Sequence, residues 1–444
     1  MKNKLLKKIV SGLLVVSMVS VLAGCSGGST SDSKDDSTTE AAEELNIYLC
    51  DMTEDEGLAM AEMFEKDTGI KLNVYAYSSE DFVQSFMVAA NGNQDIDLLE
   101  LNGQDVRSFV MKGLLQDVSG LECVDRLDDA AVEQYTYGDK LYGIGAFSGK
   151  SSGIYVNMDL IEEYGAKAPE TMDDLLDLRD KLKADGKSVF GFGGGSVYMW
   201  PMWYFSTFAQ TSGGKPVERT EEILTGKAKF TDADSIEAFQ VLRTFAEEGF
   251  WQEGFNGTDS DGGKAVFTGG NAACFYGGTW DTRSIENSGM ENVELMKFPI
   301  IKDGATSLQP GDVCDTGWSI YSKIDPSRQA AAEKFLDWVT SEETLQNFRD
   351  SDNEGLREWG LNDVNKNLPD PEEITPLDQT KNEFRETCTF TFLDWIYPPE
   401  ITTELQTVLQ SLTGLQITAE QAGEQMQAVM DQLLADGYDF NAAQ

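Results

Sequence analysis

The segment of residues 45–77 constrains the fold most, because it predicts a strand, a helix and a second strand in succession. Residues 45–49 alternate in polarity as a half-buried strand does. Apolar residues then recur at helical spacing over 57–64, until Thr68-Gly69 ends the predicted helix. Residues 71–77 predict the second strand. Such a unit implies parallel strands joined by a right-handed crossover.

Strands and helices are predicted to alternate along the rest of the chain. The further strands cover residues 96–101, 153–157, 272–276 and 318–321. One helix starts at Thr171, whose hydroxyl can cap it with Asp174 three residues on. Others cover residues 329–339 and begin at Thr418, where Gln421 completes a capping box. The predicted fold class is therefore α/β.

The N-terminus predicts export and lipid attachment. Four lysines lie among the first eight residues, and an apolar run over 9–22 leads to Leu22-Ala23-Gly24-Cys25. These are the parts of a secretory signal, and with cysteine at the cut they resemble a bacterial lipoprotein signal. We predict a signal peptide over 1–24, lipidation at Cys25 and a disordered tether over 25–44. An ordinary signal peptide is the alternative, and a membrane-spanning helix fits less well because the run falls short of ~20 apolar residues.

Charge and histidine content exclude several functions. From Cys25 onward the chain holds 30 Lys and Arg residues against 77 Asp and Glu, a formal net charge of −47. A field of that sign repels nucleic acid. The chain has no histidine, which removes Ser-His and Cys-His nucleophile systems and the usual zinc sites. No cofactor and no metal are predicted.

The cysteines suggest buried thiols more than a disulfide framework. Beyond Cys25 they are Cys50, Cys123, Cys274, Cys314 and Cys388. Their number is odd, their spacing is wide, and most have apolar neighbours. One disulfide is possible outside the cell, but the sequence does not choose the pair.

Five segments, in order along the chain, resemble the extracellular solute-binding proteins of ABC importers, and most closely their carbohydrate-binding group (family 1, maltose-binding-protein-like). They are FEKDTGIKLNVYAY at 64–77, LYGIGAFSGKSSGIYVNMDLIEEYG at 141–165, TMDDLLDLRDKLKADGK at 171–187, GKAVFTGGNAACFYGGTWD at 263–281 and GWSIYSKIDPSRQAAAEKFLDWVTSEE at 317–343. The resemblance implies a type II two-lobed fold, each lobe a mixed sheet flanked by helices. It also implies a cleft that closes about a hinge.

The resemblance also implies how the chain is divided. The first lobe would comprise residues 45–148 and 312–350. The second would comprise residues 149–311 and 351–444. The chain would act as a monomer, held to the extracellular face of the membrane of a bacterium without an outer membrane, and would deliver its ligand to ABC permease subunits.

Aromatic candidates for ligand contact follow from the positions that the family uses. A sugar ring offers an apolar face, which a flat aromatic ring can cover. Trp280 and Asp281 follow the Gly277-Gly278 turn, where glycine lets the backbone approach a ligand. Tyr198 and Trp203 lie in an aromatic segment, with core packing as the alternative. The remaining candidates are Trp318, for which hinge packing is the alternative, Trp395 and Tyr397.

Polar candidates lie after the strand over 96–101, at a carboxyl end where open α/β sheets bind ligands. These are Asn102 and Gln104. The chain departs from the maltose-binding group here, with Leu101 where that group has tryptophan and Gln104 where it has a carboxylate. Phe147, Ser148 and Lys150 border the first crossover, where a cleft role and a hinge role are equally compatible with the sequence.

The predicted function is that of a non-catalytic receptor that binds a sugar, and specifically an oligosaccharide, for delivery to an ABC importer. One alternative is a receptor of the same fold for a polyamine or another cation, since tryptophan with a carboxylate also holds cations. The other is a surface glycosidase that uses two carboxylates.

Overall fold

The computed structural model describes residues 44–369, 371 and 374–440. The predicted signal peptide, Cys25 and nearly all of the tether therefore lie outside the described residues. Within the described part, no helix has both the length and the apolar character needed to cross a bilayer.

The strands build two separate sheets and a short hairpin. They are β1 (Glu44–Leu49), β2 (Lys71–Ala76), β3 (Leu98–Asn102), β4 (Thr136–Tyr137), β5 (Lys140–Leu141), β6 (Ile144–Phe147), β7 (Lys150–Asn157), β8 (Ser188–Gly191), β9 (Ala272–Gly278), β10 (Val293–Met296), β11 (Gly311–Val313) and β12 (Thr316–Ile320).

The first sheet has the order β2-β1-β3-β12-β6. Strand β1 lies parallel to both β2 and β3, which confirms the predicted β-α-β unit. Strand β12 returns antiparallel between β3 and β6. The sheet and its helices bury one core, and Tyr48, Phe86 and Trp318 are among its largest members.

The second sheet has the order β10-β7-β9-β8, with β11 also paired to β7. Its centre is the antiparallel pair β7 and β9, and β8 runs parallel to β9. This sheet buries a second, separate core rich in aromatic rings, including Trp200, Trp203 and Tyr276. Two sheets, each with its own core, make the two lobes of a mixed α/β fold.

The helices cover the sheets. They are α1 (Glu54–Thr68), α2 (Ser79–Asn91), α3 (Gly103–Met111), α4 (Asp129–Glu133), α5 (Met158–Glu163), α6 (Met172–Leu182), α7 (Met199–Thr211), α8 (Pro216–Leu224), α9 (Ala233–Glu248), α10 (Ser260–Thr268), α11 (Thr282–Asn287), α12 (Gln329–Val339), α13 (Glu342–Arg349), α14 (Glu354–Leu361), α15 (Pro376–Arg385), α16 (Pro399–Thr413) and α17 (Ala419–Ala435). Of these, α1, α6, α12 and α17 are the four that the sequence predicted. Short 3-10 turns include Thr279–Asp281 and Leu393–Trp395.

Both predicted helix caps are confirmed. The Thr171 hydroxyl accepts the amide of Asp174 at 3.2 Å, and the Asp174 carboxylate accepts the amide of Thr171 at 3.0 Å. Thr418 and Gln421 form the same reciprocal pair at α17. Each box satisfies amides that the helix itself leaves without a partner.

The chain passes between the lobes after β6, after β11 and again after α14. Val313 packs against the second core and Cys314 in the first, so the second passage lies between them. The prediction returned the chain to the second lobe at residue 351, and this was wrong for α14. That helix buries Leu356 and Trp359 in the first core. Segment 351–364 therefore belongs to the first lobe, which brings α14 to the edge of the space between the lobes.

The cysteines Cys50, Cys123, Cys274, Cys314 and Cys388 form no disulfide with one another, and the first four are buried. Burial raises the pKa of the Cys123 thiol to about 11. These thiols therefore behave as small apolar side chains.

Candidate functional site

A cavity of about 490 Å³ lies between the two lobes, within the size range of small-molecule sites. Both lobes supply its walls. The first lobe contributes Asp51, Glu56, Asn102, Gln104, Phe147, Asp315, Glu354, Glu358 and Trp359, among others. The second contributes Lys150, Tyr198, Met202, Trp280, Arg283, Asn287, Phe392, Asp394 and Trp395, among others. A ligand held here would therefore contact both lobes at once.

The predicted polar candidates Asn102 and Gln104 both line this cavity. Asn102 ends β3, and Gln104 lies in the first turn of α3. The two amides stand at the carboxyl end of a parallel strand, where α/β sheets open to ligands. Amide side chains of this kind offer both donors and acceptors to a polar ligand.

Trp280 reaches the cavity because its ring lies against Gly278, two residues before it. A Cβ atom at Gly278 would lie 2.2 Å from the Trp280 ring, so only glycine allows the ring to fold back over the strand. The ring is half-buried and lines the cavity. The absence of a side chain at Gly278 thus allows the Trp280 indole to lie in the space between the lobes.

Asp281, in contrast, does not line the cavity. It is buried, and one carboxylate oxygen accepts the Lys264 ammonium at 2.9 Å. The other accepts the Gly278 amide at 3.1 Å. Burial raises the pKa of Asp281, although Lys264 opposes the shift. The side chain holds the turn that carries Trp280, so the prediction of direct ligand contact by Asp281 was wrong.

Three further rings of the second lobe join Trp280 around the cavity. The exposed Tyr198 stands just before α7, and Trp395 lies in the Leu393–Trp395 turn. Phe392 links the two indoles, with ring centroids 6.5 Å from Trp280 and 5.6 Å from Trp395. Sequence analysis missed Phe392, although its place three residues before Trp395 in an aromatic segment was a signal.

Three predicted ring contacts were wrong because the rings are core residues. Trp203 is fully buried, with its ring 4.8 Å from that of Tyr276 and 5.1 Å from that of Trp251. Trp318 packs in the first core against Phe335 and Trp359. Tyr397 is 3% exposed in the second core. These side chains support the lobes and do not reach the cavity.

Lys150, which the sequence left between a cleft and a hinge role, is a buried cation on the cavity wall. Its ammonium pairs with Asp51, with Asp315 at 2.9 Å, and with the Thr316 hydroxyl at 3.1 Å. The Thr316 hydroxyl in turn donates to Asp51 at 2.8 Å. Burial alone would lower the pKa of Lys150, but the two carboxylates outweigh it and raise that pKa. Lys150 therefore stays charged and fully engaged.

Two carboxyl groups at the junction of the lobes, those of Asp105 and Asp394, have raised pKa values. Burial, with a smaller contribution from Asp315, raises the pKa of Asp105 to about 7. Burial, with contributions from Asp315 and Asp105, raises the pKa of Asp394 to about 7. Asp105 and Asp315 belong to the first lobe and Asp394 to the second. Like charges therefore face each other across the junction of the lobes.

Glu100 fixes the loop that carries Asp51. Its carboxylate accepts the backbone amides of Cys50 at 2.8 Å, Asp51 at 3.0 Å and Met52 at 3.2 Å. Burial, reinforced by Asp51, raises the pKa of Glu100 to about 8. The loop after β1 is thereby held against β3, with Asp51 turned toward Lys150.

Helices α11 and α14 close one wall of the cavity from opposite lobes. Arg283 lies 3.4 Å from Glu358, and the Asn287 amide donates to Glu354 at 2.8 Å. The partners are four residues apart on each helix, and so one turn apart. Sequence analysis missed these four side chains, and this shared spacing was the available signal.

Comparison with known proteins leads to the same architecture. The profile of the family described as "Bacterial extracellular solute-binding protein" matches residues 59–353. The multiple sugar-binding protein of Streptococcus mutans is 24% identical over 375 residues, which cover 82% of this chain and 85% of that protein.

Solved structures agree over nearly the whole described chain. A chitin oligosaccharide binding protein has a TM-score of 0.77 at 20% identity, covering 89% of this chain and 100% of its own. The maltose/maltodextrin-binding domain MalE from Bdellovibrio bacteriovorus, bound to maltotriose, has a TM-score of 0.71 at 19% identity, covering 88% and 100%. At these identities the likeness shows a shared fold, and it confirms the predicted two-lobed α/β class.

Proposed function

Because the chain belongs to the bacterial extracellular solute-binding proteins, we propose that it binds a sugar between its lobes and delivers it to an ABC importer. The proposal rests on one observation above all. Aromatic rings and polar side chains from both lobes line the same cavity. Relatives whose names specify sugars, such as the multiple sugar-binding protein, support the same class of ligand.

The chemistry of the cavity wall suits a saccharide. A pyranose ring has an apolar CH-rich face and a rim of hydroxyls. Trp280, Trp395 and Tyr198 offer flat surfaces for such a face, while Asn102 and Gln104 offer amides for the rim. Since rings occur at several points of the wall, more than one sugar unit can be stacked, and we propose an oligosaccharide.

Binding by both lobes would couple occupancy to closure. A ligand that contacts both walls stabilises the arrangement in which the walls are close, by its differential affinity for that state. We propose that a monomer closed in this way is the form that an ABC permease receives. No bond of the ligand changes in this role.

We further propose that the mature protein is attached to the outer face of the cell membrane by lipid on Cys25. The sequence Leu22-Ala23-Gly24-Cys25 after a charged and apolar leader supports this. Cys25→Ala should release the protein into the culture medium, while Cys388→Ala should leave it cell-bound. Retention of the Cys25→Ala protein on cells would contradict lipid attachment at this position.

The binding function is tested by calorimetry of the purified protein against a panel of mono- and oligosaccharides. We expect at least one oligosaccharide to bind in the micromolar range or tighter. Trp280→Ala should abolish that binding, because buried aromatic anchors dominate binding energy. Tyr75→Ala, which removes an exposed ring on β2 away from the cavity, is the matched control. A panel without any ligand would refute the proposed function.

A further inference from the structure

Neither basic side chain on the cavity wall is available to an acidic ligand. Among the described residues that line the cavity, the Lys and Arg side chains are Lys150 and Arg283. Lys150 is shared by Asp51 and Asp315. Lys150 is therefore already held by two carboxylates and is largely removed from water.

Arg283 is engaged in the same way. Its guanidinium pairs with Glu286 at 2.8 Å, Asp378 at 3.2 Å and Glu358 at 3.4 Å. Asp378 and Glu358 are also partners of Lys381, at 3.1 and 3.2 Å. The network thus holds three acids against two cations, Arg283 and Lys381. A ligand carboxylate at Arg283 would have to displace one of them.

Carboxylates on the wall exceed these cations. They belong to Asp51, Glu56, Asp315, Glu354, Glu358 and Asp394. The Oδ1 atom of Asp394 is buried and has no hydrogen-bond partner among the described residues. It stands beside Phe392 and Trp395, whose rings line the same cavity. A buried acceptor without a donor is costly, so a ligand that donates to it gains affinity.

We propose that the cavity admits saccharides that are uncharged or carry a protonated amine, and excludes saccharides that carry a carboxylate or a phosphate. The inference rests on the proposed sugar-binding function. Hydroxyl and ammonium groups can donate to the ionised Asp394 carboxylate, which predominates above about pH 7 because the pKa of Asp394 is raised to about 7, whereas an anion can only accept. An ammonium also gains from the neighbouring aromatic faces. An anion meets like charge at the wall, without a free cation to offset the loss of its water.

The test uses the neutral oligosaccharide that binds most tightly in the calorimetric panel, beside the same compound with its primary hydroxyls oxidised to carboxylates. We expect the oxidised form to bind at least ~100-fold more weakly, the cost of a like-charge contact without compensation. Triacetylchitotriose and its fully deacetylated triamine form the second matched pair, and the triamine should bind no more weakly. An oxidised form within about threefold of its parent, or a triamine tenfold weaker than its acetylated partner, overturns the proposal.

The outcomes separate this proposal from the sugar function itself. If no saccharide binds, the proposed sugar function fails. The proposed exclusion of anions, here called the charge rule, is then tested by comparing the binding of spermidine with the binding of citrate. Binding of spermidine alone supports the rule, whereas binding of citrate, or of neither, overturns it. If acidic saccharides bind and neutral ones do not, the sugar function holds and the charge rule fails.

A variant tests the cause. Asp315→Asn removes one of the two carboxylates that occupy Lys150, so it should improve the ratio of acidic to neutral affinity by about tenfold. Asp303→Asn makes the same change of charge at an exposed residue outside the cavity wall, and should leave the ratio unchanged. An Asp315→Asn protein that folds and keeps the parent's ratio contradicts the role given to Lys150. The comparison of acidic and neutral ligands uses the parent protein, so it does not depend on whether the variant folds.

Discussion

Arg283 and Glu358 join the two lobes at the wall of the cavity, with Nη2 of the guanidinium 3.4 Å from Oε2 of the carboxylate. One turn away on the same two helices, Asn287 donates to Glu354. The two contacts lie side by side, so α11 and α14 are held in a defined register. Any change in the separation of the lobes has to break or stretch both.

Removal of Arg283 should destabilise the fold. The change to leucine removes one of the two cations that Glu358 and the buried Asp378 share and leaves them with Lys381 alone. Breaking a buried ion pair on one side costs about 3 kcal/mol, and we expect that loss in the free energy of unfolding, measured by urea titration. Lys215→Leu removes an exposed pair with Glu218 and should cost less than about 0.5 kcal/mol. Equal effects of the two variants would contradict the network.

Two tryptophans predicted for the site should behave oppositely on mutation. Trp203→Leu leaves a void in the second core, where the ring is fully buried, and should lower the free energy of unfolding by about 3 kcal/mol. Trp280→Leu alters a half-buried ring on the cavity wall and should cost less than about 1 kcal/mol while weakening ligand binding. Thermal unfolding and calorimetry together separate the two. The assignment is wrong if Trp203→Leu leaves the melting temperature unchanged.

The pH dependence of stability between pH 5 and 8 should come from carboxylates, because the chain has no histidine. In the folded protein the pKa of Asp105 and that of Asp394 are raised from 3.8 to about 7. The folded state therefore binds protons that the unfolded state does not, and stability falls as pH rises through this window. The melting temperature should be higher at pH 5.5 than at pH 8.

Asp394→Asn tests the source of this dependence. The variant removes one carboxylate from the junction of the lobes, so it should be more stable than the parent at pH 8, by about 1 kcal/mol, and should flatten the slope. Asp303→Asn, at an exposed position, should leave the slope intact. A parent protein that becomes more stable from pH 5.5 to pH 8 would refute the argument.

Much of the fold follows from signals that span a few residues. The caps at Thr171 and Thr418 need only a hydroxyl and a side chain three positions on, and both formed as predicted. The helix over 329–339 has the predicted ends. The return of the chain at residue 351 could not be predicted as accurately, because the apolar face of α14 fits a core of either lobe until the packing partner is known.

The site was less predictable, since tertiary packing decides whether an aromatic ring lies in a core or on the cavity wall. In α7 every residue from Met199 to Thr211 is buried, so no polar face distinguishes Trp203 from a ring that faces the cavity. The trio Asp51, Lys150 and Asp315 comes from three distant segments, and no spacing in the sequence links them. Trp280 was predictable because Gly278, which makes room for its ring, lies only two residues before it.

That dependence on glycine leads to the last prediction. Gly278→Ala places a Cβ atom 2.2 Å from the Trp280 ring as it now lies, so the ring has to turn away. The indole is partly exposed and can move without opening a core cavity, so we expect a change in stability of less than about 1 kcal/mol. Ligand affinity should fall about tenfold, because the stacking surface is displaced.

Gly120→Ala, with no atom within 4 Å of the added carbon, is the control and should change neither quantity. Calorimetry with the tightest oligosaccharide measures the affinity, and urea titration measures the stability. Parental affinity in Gly278→Ala would mean that the orientation of this ring does not matter for binding.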